Sequence, residues 1–318
     1  MKRVGAMNNR ISSIDAFRGF AVLSMVIVNF AADVRWVPAI FKHAPDIGLT
    51  VADFIAPFFI FAIGLTYRAA FDRRRDAGGF LKAAGQFAIR YFAIAGIGAV
   101  FAAGEALTGE GPGNWGVLQA IGISGIVCLF FIRLKPAFRF AAGLVLLLVY
   151  QFLLGTFFLQ AVLSSSHGGL VGSLSWAGML LLSTAVADVF YGSKKKTLFL
   201  SLGILAAGIA LSFLFPVSKN RVSSSYVLIT TGAGALLFLL FDRIYRTKKA
   251  PFLEWWGANP LFLYILHQFL LAFFALPSWD GWYAGASAWL TVVQLAALVS
   301  VLSAVAYRLY SRGIYIKL

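Results

Sequence analysis

Long apolar runs broken by short polar seams set the rhythm of this chain. Scanned with a window of about 19 residues, close to the length a membrane span requires, the runs predict helices over 17–37, 50–70, 84–104, 115–132, 137–160, 173–190, 197–215, 225–242, 258–276 and 286–307. The seams are chemically distinct: Gly-Glu-Gly-Pro-Gly at 109–113, Ser-Ser-Ser-His-Gly-Gly at 164–169, and the three lysines Lys194 to Lys196. No strand pattern interrupts the runs, and no internal repeat is visible. The expected fold class is all-α: a polytopic membrane protein, a bundle of about ten transmembrane helices forming a single domain over 1–318.

Composition supports this and narrows it. The chain has 318 residues, 60% of them hydrophobic and 12% charged, with a mean hydropathy of +0.85. A soluble domain is about a quarter charged, so this chain has roughly half the charge needed to coat a water-facing surface. At roughly 25 to 35 residues per span and connection, ten spans fill the length, which excludes a large soluble domain. Cys128 is the lone cysteine, so an intrachain disulfide is excluded and the thiol is expected to be a small lipid-buried hydrophobe. The first apolar run begins near Phe17 and passes Val28 without a small-residue cleavage site, so a retained span is expected there rather than a signal peptide.

Charge orients the bundle. Lys and Arg are retained on the cytoplasmic side of short loops. With the N-terminus inside, 23 of the 27 Lys and Arg fall on inside segments, leaving only Arg35, Lys42, Lys219 and Arg221 outside. Both termini are expected to be cytoplasmic. The basic residues lie in short loops without a basic-aromatic surface, so nucleic acid is not an expected partner. Three dispersed histidines and one membrane cysteine give no ligand cluster, so no metal is expected.

Polar groups inside spans are costly and mark candidate chemistry. Asp15 and Arg18 stand one turn apart at the inner mouth of the first span and can form an i,i+3 ion pair, serving either as an interfacial anchor or in binding. Asn29 lies deeper and needs a partner, which helix-to-helix bonding or a substrate can supply. His43 sits in an outer connection, followed by Asp53 inside the next predicted span and by Pro57. Nearby polar groups can orient the His43 imidazole and raise its basicity, while Asp53 can instead pair with a basic residue or bond a neighbouring helix. His267 falls inside the ninth predicted span, where it either bonds another helix or meets substrate. His167, in a Ser- and Gly-rich loop, is expected to be solvated, and Gln119 and Tyr226 to line a cavity or bridge helices.

Taken in order, several islands carry a resemblance: Arg10-Ile-Ser-Ser-Ile-Asp15-Ala-Phe-Arg18-Gly19, then Asn29, Phe41-Lys42-His43-Ala44 and Gly48-Leu-Thr-Val-Ala-Asp53-Phe. Gly116-Val-Leu-Gln119, Pro216-Val-Ser-Lys219, Ser225-Tyr226-Val-Leu and Gly257-Ala-Asn259-Pro-Leu with Tyr264 and His267 follow. The chain resembles the transmembrane acetyltransferase family of heparan-alpha-glucosaminide N-acetyltransferase, a lysosomal enzyme that moves acetyl from cytosolic acetyl-CoA to luminal glucosamine termini. The resemblance implies that His43 is the active-site histidine and that Asn29 works beside it. It implies that Asn259 and His267 lie near the acetyl-CoA site, that Arg10, Asp15 and Arg18 form the cytoplasmic mouth, and that the protein pairs as a homodimer.

The expected activity is acyl transfer to an amino sugar or glycan on the outer face. His43 acts either as general base or as the nucleophile that carries acetyl, and Asn29 supports the developing oxyanion. Acetyl-CoA is a polyanion, and cytoplasmic Arg10 and Arg18 are the cations singled out for it, with Arg73 to Arg75 and Lys194 to Lys196 left as topological determinants. Two other classes fit the intramembrane polar groups: a secondary transporter of a small polar solute, and a polysaccharide O-acyltransferase sharing the Asp-x-x-Arg-Gly signature. The absence of a targeting segment favours a bacterial inner membrane.

Overall fold

The computed structural model describes residues 11–108, 115–247, 251–277 and 279–316; Arg10 and the seam at 109–113 lie outside them. Among the described residues the ordered structure is helical: α1 (Ser12–Ala32), α2 (Ala52–Gly78), α3 (Phe80–Leu107), α4 (Val117–Phe131), α5 (Pro136–Leu163), α6 (Gly169–Gly192), α7 (Lys194–Ser212), α8 (Ser224–Tyr245), α9 (Pro251–Ala258), α10 (Pro260–Ala275) and α11 (Ala288–Ser311). Eight are long and apolar enough to cross a membrane, as an integral membrane protein requires.

Two predicted spans take another form. The ninth, 258–276, is α10, and directly before it stands the short helix α9, which the hydropathy window left out and which meets α10 at 84°. Pro260 has no N–H to continue the ladder and restricts Asn259 before it, whose backbone leaves the helical region at φ −132° and ψ 56°. The fourth, α4, has only 15 residues, because Gly116 and the turn after Phe131 bound it.

Helix ends also move outward where the apolar pattern had stopped. The second predicted span ends at 70, yet α2 runs to Gly78. Asp72 accepts from Arg68 (3.2 Å) and pairs with Arg75 (3.1 Å) at helical spacing, a stabilisation that a hydropathy window does not register. Gly79, with φ +84°, then turns the chain into α3, a left-handed conformation that favours glycine. His167 departs from its expectation too: its carbonyl accepts the Trp176 indole N–H (3.1 Å), so the residue is built into the entrance of α6 and is only partly exposed. Cys128 is buried within protein, not lipid. Gln119 bonds the Gly116 N–H (2.9 Å) and so closes the start of α4.

The chain divides into two compact units, with the division falling inside α2 and α8. Among the described residues, the first comprises those from Ile11 to His43, Thr50–Ile55 and those from Leu237 to Ile316. Its centre is a backbone-to-backbone crossing of α1 and α9. A Cβ on Gly19 would lie 1.9 Å from the Leu253 carbonyl oxygen, and one on Gly257 would lie 1.8 Å from that of Asp15. Only glycine permits this approach, the small-residue packing by which membrane helices gain dispersion contact. Around it, Phe17 meets Phe238 and Phe241 edge-on at 5.6 and 5.5 Å.

The second unit contains Ala44–Leu49 and Ala56–Leu236. The Ala44–Leu49 strap is held to the α7–α8 connection by an isolated antiparallel bridge between Ile47 and Ser218 and by the Gly48 N–H to the Val217 carbonyl (2.8 Å). Arg221 grips the Asp46 carboxylate through Nη2 and through Nε, which lies 2.9 and 3.0 Å from its two oxygens, and Ser218 adds a third donor at 2.8 Å. The Arg221 hydrogen bond is the chief reason the Asp46 carboxyl is held below the usual carboxylate range, against an opposing effect of burial.

A depressed carboxylate contributes stability above its unfolded value, about pH 3.9, and loses it as pH falls through the folded value. The difference in thermal midpoint between the native protein and Asp46→Asn should therefore be largest near neutrality and shrink below about pH 4. Gly257→Ala should lower the midpoint in detergent, at an overpacking cost of about 1–3 kcal/mol. Gly203→Ala, with open space at its Cβ, should not lower it.

Candidate functional site

The described candidate residues all belong to the first unit, and successive contacts assemble them. Tyr283 caps the end of α1: its hydroxyl donates to the Phe30 carbonyl (3.1 Å) and lies 3.4 Å from Asp33 Oδ2. Burial, and then the charge of Asp33, raise the Tyr283 phenol above its ordinary value, which keeps it a donor. The loop after α1 is pinned by the Arg35 N–H to the Ala284 carbonyl (2.9 Å) and by the Trp36 indole to Thr291 Oγ1 (3.0 Å). Further along, the Val51 N–H donates to the Ile40 carbonyl (3.2 Å). The loop carrying His43 is thus fixed on both sides of that residue.

Asp53 reaches His43, an interaction the sequence left open. It sits in the opening 3₁₀ turn of α2, at the helix start and not deep in the span, where the aligned N–H groups favour negative charge. Its side chain is fully buried, and Oδ1 lies 2.8 Å from His43 Nδ1. Oδ2 accepts the Thr50 backbone N–H at 3.0 Å. The Thr50 hydroxyl lies between the Lys42 carbonyl (2.7 Å) and Asp53 Oδ2 (3.0 Å), tying both arms of the loop together. Thr50 and Lys42 are the residues that sequence reasoning missed. A Thr followed three positions later by an acid at a helix start was the available signal.

Because a carboxylate only accepts, the 2.8 Å contact puts the His43 proton on Nδ1 and leaves the Nε2 lone pair available. The His43 side chain is 39% exposed against 0% for Asp53. A buried acceptor behind an accessible imidazole is the arrangement that fixes tautomer and orientation in general-base chemistry.

Asn29 is joined to His267, at 3.0 Å between Nδ2 and Nε2. Its amide has a second N–H. His267 is fully buried and packs edge-on against Tyr264, with ring centres 5.0 Å apart. The sequence grouped Asn29 with His43; the structure pairs Asn29 with His267 and His43 with Asp53. Asn259, at the α9–α10 break, spends both ends of its amide on the C-terminal segment, donating to the Ile314 carbonyl (3.0 Å) and accepting from the Ile316 N–H (2.7 Å). At the other end of α1, Arg18 bonds Asp15 at 3.0 Å and the Gly257 carbonyl at 3.3 Å. The Asp-x-x-Arg-Gly sequence therefore has a local physical reason: the acid orients the arginine, the arginine ties α1 to α9, and the glycine lets them touch.

A polytopic helical protein with an acid-backed histidine on a pinned loop is the class that fold and site define. Residues 10–228 match the heparan-alpha-glucosaminide N-acetyltransferase catalytic family, and the chain belongs to that transmembrane N-acetyltransferase family. It is 33% identical to heparan-alpha-glucosaminide N-acetyltransferase of Homo sapiens over 132 residues, 39% of this chain and 19% of that protein. With its Mus musculus counterpart it is 34% identical over 137 residues, 40% of this chain and 20% of that protein. The matched stretch thus spans about a fifth of these relatives' length. The family match takes in Asn29, His43 and Asp53 and ends before Asn259 and His267, the latter brought to Asn29 by the fold.

Thr50→Val should destabilise the protein, because a buried carboxylate loses a neighbouring donor at a cost of about 1–3 kcal/mol. Thermal unfolding in detergent should show a lower midpoint for Thr50→Val than for Thr50→Ser.

Proposed function

We propose that the chain is an acetyl-CoA-dependent N-acetyltransferase whose single catalytic domain spans 1–318, acting on an amino sugar or glycan at the outer face. The observation that carries this reading is the 2.8 Å contact between His43 Nδ1 and the buried Asp53 carboxylate, in a chain of the N-acetyltransferase family.

In the direct route the acceptor amine attacks the thioester carbonyl carbon while His43 Nε2 takes the amine proton. The tetrahedral intermediate then expels the CoA sulfur, which receives that proton from the imidazolium. Asp53 stabilises the charged ring, as an orienting carboxylate does. The spare Asn29 N–H supports the carbonyl oxygen as it gains charge, the work of an oxyanion-hole amide, while His267 holds the Asn29 side chain. Should His43 Nε2 instead attack the thioester carbon first, CoA leaves as its thiolate and acetyl rests on Nε2; the amine then attacks that carbonyl carbon, the imidazole is expelled, and the amine proton passes to the thiolate.

Arg18, paired with Asp15, is proposed to face the donor's phosphates together with Arg10. Asn259 contributes by fixing the C-terminal segment next to the α9–α10 break. Charge bias supports a cytoplasmic donor side with both termini inside, and the reading is of a bacterial inner-membrane enzyme acting as a homodimer.

The test uses purified protein in vesicles with labelled acetyl-CoA and glucosamine-terminated acceptors. Transfer should fall by at least two orders of magnitude in His43→Ala and on the order of a hundredfold in Asn29→Ala, with the CoA-induced rise in thermal midpoint retained in His43→Ala. Undiminished transfer in His43→Ala overturns the assignment. Label recovered on His43 when acceptor is withheld selects the two-step route.

A further inference from the structure

The basic run at the end of α2, so far only a determinant of topology, contains an unfinished constellation. Arg74 lies in the last turns of α2 and Arg90 in the first half of α3. The Arg74 guanidinium stacks over Phe87 at 4.9 Å from the ring centre, and that of Arg90 lies 5.9 Å from the centre of Tyr91. The two rings belong to one aromatic ladder. Tyr67 is tilted against Phe87 at 5.0 Å and stacked on Tyr91 at 5.4 Å, and its hydroxyl is anchored to the Gly125 carbonyl at 2.6 Å. Both arginines are therefore held on rigid, buried supports, neighbouring rings whose centres lie 6.2 Å apart.

What is missing is an acceptor. Arg74 Nη1 and Arg90 Nε are shielded from solvent without a hydrogen-bond partner. The acids nearest in sequence are committed elsewhere, Asp72 to Arg68 and Arg75 and Asp76 to Arg75. Cation–π contact offsets part of the charge but satisfies no N–H, and two like charges with shielded, unpaired donors are costly at a membrane. A planar fork of N–H donors beside a second one fits the tetrahedral oxygens of a phosphate ester, which neutralises both and accepts from both.

We propose that Arg74 and Arg90 form a binding site for a phosphate-ester anion, either the headgroup of an anionic lipid or the phosphate of a soluble ligand. The site is independent of the His43 assignment and stands or falls separately from it.

The test measures the thermal midpoint of the purified full-length protein in neutral detergent with three additions: short-chain phosphatidylglycerol, short-chain phosphatidylcholine, and inorganic pyrophosphate. Phosphatidylglycerol, pyrophosphate or both should raise the midpoint by several degrees, and phosphatidylcholine should not. A response confined to phosphatidylglycerol identifies a lipid headgroup; one that includes pyrophosphate identifies a phosphate group open to solution. Arg74→Gln with Arg90→Gln should weaken the response at least tenfold in concentration, whereas Lys195→Gln, in another basic run, should leave it intact. Single Arg→Lys variants, which keep the charge and lose the fork, should show intermediate weakening and report on the site if the double variant does not fold. No response to either anion, or an equal response in the Gln and Lys variants and the native protein, overturns the proposal.

Discussion

A carboxylate with no exposure has to be surrounded by donors, and meeting that demand at Asp53 organises the loop on which the site is built. One oxygen takes the imidazole of His43 and the other takes the backbone and neighbours the hydroxyl of Thr50. These residues come from two stretches of chain separated by the Ala44–Leu49 strap, so satisfying one buried charge closes a loop, chooses a tautomer and turns one ring nitrogen outward. The strap has its own anchor in Asp46, gripped by Arg221. Both ends of the arrangement rely on charge-assisted hydrogen bonds, which are shorter and stronger than neutral ones and hold a connection that helix packing alone would leave loose.

The same economy governs the rest of the first unit. Gly19 and Gly257 let two backbones touch, and Arg18 crosses that contact to bond the Gly257 carbonyl. The segment after α11 has backbone groups outside any helix, and the Asn259 amide, at the α9–α10 break, satisfies two of them, the Ile314 carbonyl and the Ile316 N–H. Where regular helix fails in a membrane protein, side chains must supply what the ladder cannot. Several motif residues that a chemical reading assigns to substrate are also employed in this way.

The sequence made most of the helices legible, because a span is a long apolar run and few other structures produce one. It left out the short helix α9 before the ninth span, because hydropathy does not register the sharp backbone turn at Asn259-Pro260. It also stopped short at the end of α2, where ion pairs at helical spacing extend a helix that apolarity had ended. For the site, His43, Asp53, Asn29 and His267 were recognisable as costly polar residues, but the pairing between them was not. Contacts such as Asn29 to His267 join residues 238 positions apart, and no local pattern encodes them. Thr50 was overlooked because its value lies in geometry: a small hydroxyl beside a carboxylate is ordinary until the loop folds.

α4 is short for a helix that crosses a membrane. Fifteen residues of helix rise about 22 Å, against a hydrocarbon core of about 30 Å, and Phe130 near its end is largely exposed. Such a mismatch is relieved when the adjoining leaflets pinch inward or the flanking polar groups are drawn toward the bilayer centre. In a protein proposed to pass a small group from one side of a membrane to the other, a locally thin bilayer would shorten the distance between the two aqueous phases. Its activity would then depend on the acyl-chain length of the host membrane.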